Sequence, residues 1–267
     1  MIARTFFRTA SSAAALIVIG LTSTAAHAQQ CTEESFEEAN YIVCAIDQAS
    51  SDLRLFWKND QDEPYRTFSK VADALSEQGL ELVLAVNAGM YRPDFSPLGL
   101  YVENGAVLQP ADTKAMKGSQ RQIPNFYKKP NGIFFLGDAG AGILSTDEFL
   151  GARPNVRFAT QSGPLLVIGN ELHPALIPGS TDRTRRSGVG VCEDGKIRFA
   201  ISNGDVNFHE FARLFRDELA CPDALFLDGG RGAGLYVPGM GRNDFSWHGG
   251  YGPVFGLVEH PARPDSK

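Results

Sequence analysis

Ala224-Leu225-Phe226-Leu227-Asp228-Gly229-Gly230 reads as a buried strand that stops on an acid and two glycines. Its apolar residues are continuous rather than alternating, the pattern of a strand covered on both faces. Upstream, Phe208, Phe211, Ala212, Phe215 and Leu219 share one helical stripe. Asn207, with Glu210 three positions on, makes a near capping box for that helix. A strand ending at Ser202 precedes it. Strand, helix, strand at this spacing is compatible with a right-handed crossover, and it points to an α/β fold.

Outward from this unit the signals are mostly hairpins. Asn104-Gly105 lies between Leu100-Tyr101-Val102 and Ala106-Val107-Leu108 and suits a type I′ turn. Gly169-Asn170 and Asp194-Gly195 mark two more reversals. Tyr41 to Ile46, Leu53 to Trp57 and Leu82 to Val86 read as strands. Phe68, Val71, Ala72 and Leu75 fall at i, i+3, i+4 and i+7, a helix ended by Gly79. Lys114 to Lys129 and Ala139 to Pro154 read as loops. The expectation is therefore a single domain, residues 29–267, of mixed α/β, α+β-like character, with a hairpin-rich sheet and flanking helices.

The first 28 residues stand apart. Arg4 and Arg8 give a positive start, Ala13 to Leu21 an apolar stretch, and Ala26-His27-Ala28 a small-x-small cleavage site. This predicts a secretory signal peptide over residues 1–28, a mature chain from Gln29, and a periplasmic or secreted location without a membrane anchor. The 43% hydrophobic and 21% charged content exclude a largely disordered chain. A net charge of −6 argues against a nucleic-acid binder, which is usually basic. Cys31, Cys44, Cys192 and Cys221 form an even set in an exported chain and read as two disulfides. Three connectivities are possible; Cys31–Cys44 with Cys192–Cys221 is the simplest. Neither C-x2-C nor H-E-x-x-H spacing occurs, so no metal or other cofactor is expected.

Asn87 and Asp228 are the informative polar pair. Each directly follows a buried apolar run and is followed closely by glycine, and ligands in α/β sheets gather beyond such strand ends. Both are equally good turn formers. Arg186 belongs to a basic run, Thr181 to Arg186, and immediately precedes a strand-like segment. Its planar fork suits phosphate or carboxylate. Asn131-Gly132 and Gln161-Ser162-Gly163 open strands and either line a pocket or form turns. Trp247 and Tyr251 flank Gly249-Gly250 in an aromatic loop of the kind that stacks on sugars or packs into a core.

Asn87-Ala88-Gly89-Met90-Tyr91, Pro97-Leu98-Gly99-Leu100, Asn131-Gly132-Ile133-Phe134, Gln161-Ser162-Gly163-Pro164-Leu165, Arg186-Ser187-Gly188-Val189-Gly190 and Leu225 to Gly230 occur in that order. The series resembles the phosphodiester glycosidase family, to which the "uncovering enzyme" belongs. The resemblance implies a mixed α/β fold with a deep polar cleft and hydrolysis of sugar-1-phosphodiesters at the anomeric carbon. It implies Asp228, Arg186 and Asn87 as catalytic residues. Asp228 would act at C1 as base or nucleophile, Arg186 would clamp the phosphate, and Asn87 would orient the sugar or water. Gly89, Asn131, Gln161, Ser162, Gly229, Gly230 and Arg231 would bind substrate. The sequence departs from the family's Asp-Gly-Gly-Gly-Ser-Ala at Arg231 and Gly232. The partner implied is a small-molecule or glycan phosphodiester. The rival class is a non-catalytic periplasmic protein that binds a sugar phosphate or glycan.

Overall fold

The computed structural model describes Met1, residues 31–119 and residues 122–261. The predicted signal peptide, Met1 apart, and the predicted mature start at Gln29 lie outside the described residues. β1 (Cys31–Phe36) and β2 (Ala39–Ile46) form a hairpin, followed by β3 (Asp52–Phe56), α1 (Phe68–Glu77) and β4 (Glu81–Asn87). β5 (Tyr101–Glu103) and β6 (Ala106–Gln109) pair next, then β7 (Gly132–Gly137), β8 (Gly140–Ser145), α2 (Thr146–Ala152) and β9 (Val156–Ser162). β10 (Leu165–Ile168), β11 (Glu171–Leu172), β12 (Arg186–Val191) and β13 (Ile197–Ser202) follow. α3 (Phe208–Arg213) runs into a π-helical turn (Leu214–Glu218) and leads to β14 (Asp223–Gly229). β15 (Leu235–Val237), β16 (Arg242–Asn243) and β17 (Val254–Glu259) complete the described strands.

The strands form three sheets, ordered β1-β2-β13-β12-β14-β10-β11, β16-β15-β4-β17-β3 and β6-β5-β9-β7-β8. The α/β expectation is overturned: strand occupies 41% and helix 16%, and the fold is mainly β. The reason lies in the unit read as a crossover. α3 does carry the chain from β13 to β14, but β12 sits between them and runs antiparallel to both. The helix spans an intervening strand instead of joining parallel neighbours. Residues 139–154, read as a loop, hold β8 and α2. α2 starts with a capping box in which Ser145 and Glu148 bond each other's backbone N–H.

One apolar core is shared by the inner faces of all three sheets. Phe134 from β7, Phe199 from β13 and Phe255 from β17 meet there, with ring centroids 5.2 to 6.2 Å apart. Each outer face carries one helix. Phe208, Phe211 and Ala212 of α3 cover the seven-stranded sheet, and Phe68, Val71 and Leu75 of α1 cover the sheet containing β4. Phe149 of α2 packs on Val102, Ile133 and Ala159 of the third sheet. Short helices suffice because each closes only one face of a sheet whose other face is already buried. The Asn104-Gly105 turn has positive φ at both residues (51° and 79°), as a type I′ hairpin requires.

The cysteines pair as Cys31–Cys44 and Cys192–Cys221, the simplest of the three connectivities. Cys31 and Cys44 are cross-strand partners in the β1–β2 hairpin. Disulfides of this kind persist in oxidising compartments. No helix among the described residues is long and apolar enough to cross a membrane. Replacing Cys31 and Cys44 by Ser should lower stability by about 2–3 kcal/mol, because the bridge closes a short loop in the unfolded chain. A urea midpoint unchanged from that of the oxidised parent would count against this.

Candidate active site

β14 ends at Asp228-Gly229, and its register with β12 fixes where the acid points. Ser187 pairs with Asp228 and Arg186 pairs with Gly229, so these two pairs occupy opposite faces of the ladder. The Ser187 hydroxyl donates to the Asp228 carbonyl (3.1 Å) and lies 3.3 Å from the Asp228 N–H. The carboxylate turns toward the following 3₁₀ turn (Gly230–Gly232) and toward Tyr91. Asp228 is half-buried, and the protein packed around it leaves little water to solvate a charge. Burial pushes its pKa up to about 7; the Gly229 N–H, donating to Oδ1 at 2.8 Å, opposes this only in part.

Asn87, from the neighbouring sheet, reaches Gly234, two residues past that turn. It ends β4, is fully buried, and accepts from the Gly234 N–H at Oδ1 (3.1 Å) while its own N–H donates to the Gly234 carbonyl (3.3 Å). Its Nδ2 is buried without a hydrogen-bond partner among the described residues. A buried donor left open in this way is costly and suits a ligand or a bound water. Gly89, with φ of 124°, brings the exit of β4 against Thr160 and Ser162 at the end of β9. The segment 230–234 therefore brackets Asp228 on one side and Asn87 on the other.

Nothing in the sequence marks Tyr91 as a site residue beyond its place in the Asn87–Tyr91 motif. Its hydroxyl donates to the Gly250 carbonyl (2.9 Å), with the buried Ser246 hydroxyl beside it. Burial and the neighbouring Asp228 raise its pKa. The loop that Tyr91 anchors presents Phe245 and Trp247 to solvent, 61% and 80% exposed, with edge-to-face rings at 5.7 Å. Tyr251, the other aromatic of that loop, is buried and stacks on Phe68 at 4.6 Å, so it belongs to the core.

Arg186 lies away from the carboxylate. It is 1% exposed and stacks on Phe208, with its Cζ 3.6 Å from the ring centroid. Nε donates to the Val206 carbonyl (2.9 Å) and Nη2 to that of Asp182 (3.0 Å). Burial lowers its pKa to about 10, and the carboxylates of Asp182, Asp205 and Glu210 oppose this. A cavity of about 830 Å³ opens on this side, lined in part by Asp182, Phe208 and Lys128, and Asp228 does not line it.

Three other predicted ligands use their polar atoms inside the fold. Gln161 accepts from the N–H groups of Leu100 and Asp112 and donates to the Asp112 carbonyl and Thr146 Oγ1. Asn131 donates to the Phe126 carbonyl and accepts from Lys129 and Thr146. The Ser162 hydroxyl donates to the Leu227 carbonyl (2.9 Å), which fixes the strand one residue before Asp228. These residues brace the site from behind. The Gly230 N–H donates to the Arg185 carbonyl (2.7 Å), tying down the turn, while Arg231 is exposed with no ion pair or hydrogen bond among the described residues. Asp94 is exposed and bonded to Ser96, and Asp182 is 66% exposed beside Arg186.

The chain superposes on the zebrafish N-acetylglucosamine-1-phosphodiester alpha-N-acetylglucosaminidase catalytic domain, a structure auto-inhibited by its pro-peptide. The match has a TM-score of 0.58 and 14% identity over 85% of this chain and 81% of that one. A hypothetical protein from Synechocystis gives a TM-score of 0.51 and 15% identity over 85% of this chain and 61% of its own. Among sequences, the uncharacterized protein YigE of Escherichia coli (strain K12) is 29% identical over 177 residues, 66% of each chain. Residues 81–257, from the first residue of β4 to the core of β17, match the phosphodiester glycosidase family, and the chain belongs to that family.

Proposed function

We propose that the protein hydrolyses the anomeric C–O bond of a sugar-1-phosphodiester, with Asp228 moving the proton. The observation that carries this is the desolvated Asp228 carboxylate, its pKa raised to about 7 at a strand end. A proton-transfer group works best with a pKa near the working pH, whereas a nucleophilic carboxylate must stay ionised. Proton transfer is therefore the better fit. Asp228 takes a proton from water as its oxygen bonds to C1. The C1–O bond breaks, and its electron pair leaves on the phosphate oxygen as a phosphomonoester. That leaving group needs no general acid, so one carboxylate is enough.

The Asn87 amide offers its open Nδ2 donor to the sugar or the water. Arg231, next to the Asp228 turn and unpaired, draws the phosphate toward it. Phe245 and Trp247 give the sugar an apolar face on which to stack. The test is a panel of sugar-1-phosphodiesters with both products identified. Release of free sugar with phosphomonoester supports the reading. Binding without release would favour a sugar-phosphate-binding protein.

Trp247→Ala should raise KM about 3- to 10-fold and leave kcat nearly unchanged, since aromatic contacts of this kind contribute roughly 1 kcal/mol. Steady-state kinetics on the best substrate of the panel decides it, and an unaltered KM would remove Trp247 from the site.

A further inference from the structure

Residues 244–253 join β16 to β17 and carry the exposed rings of Phe245 and Trp247. Within 244–250 the loop makes one backbone hydrogen bond of its own among the described residues, from the Gly249 N–H to the Ser246 carbonyl (3.1 Å). A stretch with so little internal bonding opens easily unless something outside holds it. Two side chains hold it at consecutive carbonyls. Arg66 Nε donates to that of Gly249 (3.0 Å), and the Tyr91 hydroxyl to that of Gly250 (2.9 Å). The Arg66 carbonyl also accepts from the Tyr251 N–H (2.7 Å). The loop lies directly against this residue: a Cβ on Gly250 would sit 2.6 Å from the Arg66 carbonyl oxygen. Ser246, between the two outward rings, is buried with its hydroxyl beside that of Tyr91.

We propose that Arg66 and Tyr91 are positioning residues that latch the 244–250 loop and hold Phe245 and Trp247 as a fixed platform at the Asp228 end of the fold. The two come from different parts of the chain. Arg66 precedes Thr67, the N-cap of α1, and Tyr91 follows β4. Phe95 joins them: its ring stacks on Tyr91 with centroids 5.7 Å apart and lies 4.2 Å from Arg66 Cζ. Arg66 holds φ of 67°, a conformation unfavourable for any residue but glycine. Its side chain is what glycine could not supply. A platform fixed before the substrate arrives loses no binding energy to ordering the loop, so the latch acts on affinity rather than on the chemical step.

The inference rests on the reading of Phe245 and Trp247 as a sugar platform only for its kinetic effect; the latch itself is measured without substrate. Arg66→Gly removes the side chain and keeps the backbone, since glycine takes positive φ freely. Tyr91→Phe removes one hydroxyl and keeps the stack on Phe95. Backbone nitrogen order parameters of residues 245–250 are measured by NMR in the intact protein. They should be about 0.85 in the wild type and below about 0.6 in each variant, with β4 and β17 unchanged. A wild-type loop already below about 0.6, or unchanged values in either folded variant, overturns the proposal. If Arg66→Gly fails to fold, Tyr91→Phe decides. On the best substrate, Arg66→Gly should raise KM about 3- to 10-fold and lower kcat by less than about threefold. Trp247→Ala added to it should raise KM by less than about twofold more, because the platform is already loose. Effects of the two substitutions that multiply, or a fall in kcat with KM unmoved, overturn the proposal. If Trp247→Ala alone leaves KM unaltered, the sugar platform falls and the order parameters alone decide the latch.

Discussion

Asp228→Asn should lose about 10²–10⁴-fold in kcat and yet be more stable than the parent at neutral pH. Asn keeps the size of the side chain and the acceptor for the Gly229 N–H, so the turn is preserved. It lacks the charge and the basic oxygen. The stability sign follows from the raised pKa. Asp228 titrates near 7 in the folded protein and near 4 in the unfolded chain, so between these values the native state holds a proton that the unfolded state has lost. Wild-type stability therefore declines as pH rises through that window, and the loss is complete above pH 7. The melting temperatures of variant and wild type should coincide near pH 4 and diverge in favour of Asn by pH 8. Activity of the wild type should rise across the same upper limb, as a base requires. A variant that is equally active, or one less stable than wild type at pH 8, contradicts the role or the burial respectively.

The second large effect falls on folding. Arg186→Ala removes both hydrogen bonds to the Val206 and Asp182 carbonyls and the stack on Phe208. The Asp182 carbonyl loses this partner while that of Val206 keeps the Thr184 N–H (3.2 Å), so one unmade hydrogen bond costs about 1–3 kcal/mol, and a desolvated cation–π contact adds about 2. The expected loss is about 3–5 kcal/mol, read as a lower urea midpoint. Arg186→Lys separates a brace from an anion clamp. As a brace, it leaves turnover by the folded fraction within about threefold. A hundredfold loss of kcat in well-folded Arg186→Lys would place the guanidinium on the substrate.

Local chemistry was what the sequence made legible. The stripe of α1, the type I′ turn at Asn104-Gly105 and the Asn207–Glu210 box at α3 all depend on residues within seven positions of one another, and all three form as read. Strand partners are set at long range. Nothing in Ile197 to Gly229 says that β12 inserts between β13 and β14, so a helix between two strands was read as an α/β unit. β1 carries no strand pattern because Cys31-Thr32-Glu33-Glu34-Ser35-Phe36 is a polar edge strand with one buried residue, whereas the short α2 is marked in the sequence only by its cap, Ser145 and Glu148. In the site, Asp228 and Asn87 were legible as acid and amide at strand ends. The saturated hydrogen bonding of Gln161 was not, because its partners Leu100, Asp112 and Thr146 come from three distant segments.

The order β16-β15-β4-β17-β3 has a consequence for the timing of assembly. β17 pairs with β3 on one side and β4 on the other, through registers that run from Val254 to residue 258 or 259. Asn87 pairs directly with Val254. A chain emerging from its N-terminus therefore makes β3 and β4 early and holds them apart, with nothing between them, for about 170 residues of further synthesis. The residue that supplies the open amide donor has no fixed position until residue 254 arrives. Such sequence-distant pairing slows folding and leaves unpaired strand edges exposed meanwhile. A nascent or truncated chain that stops short of β17 would carry every polar residue assigned to the site and still have no site, so competence appears only as the last strand closes.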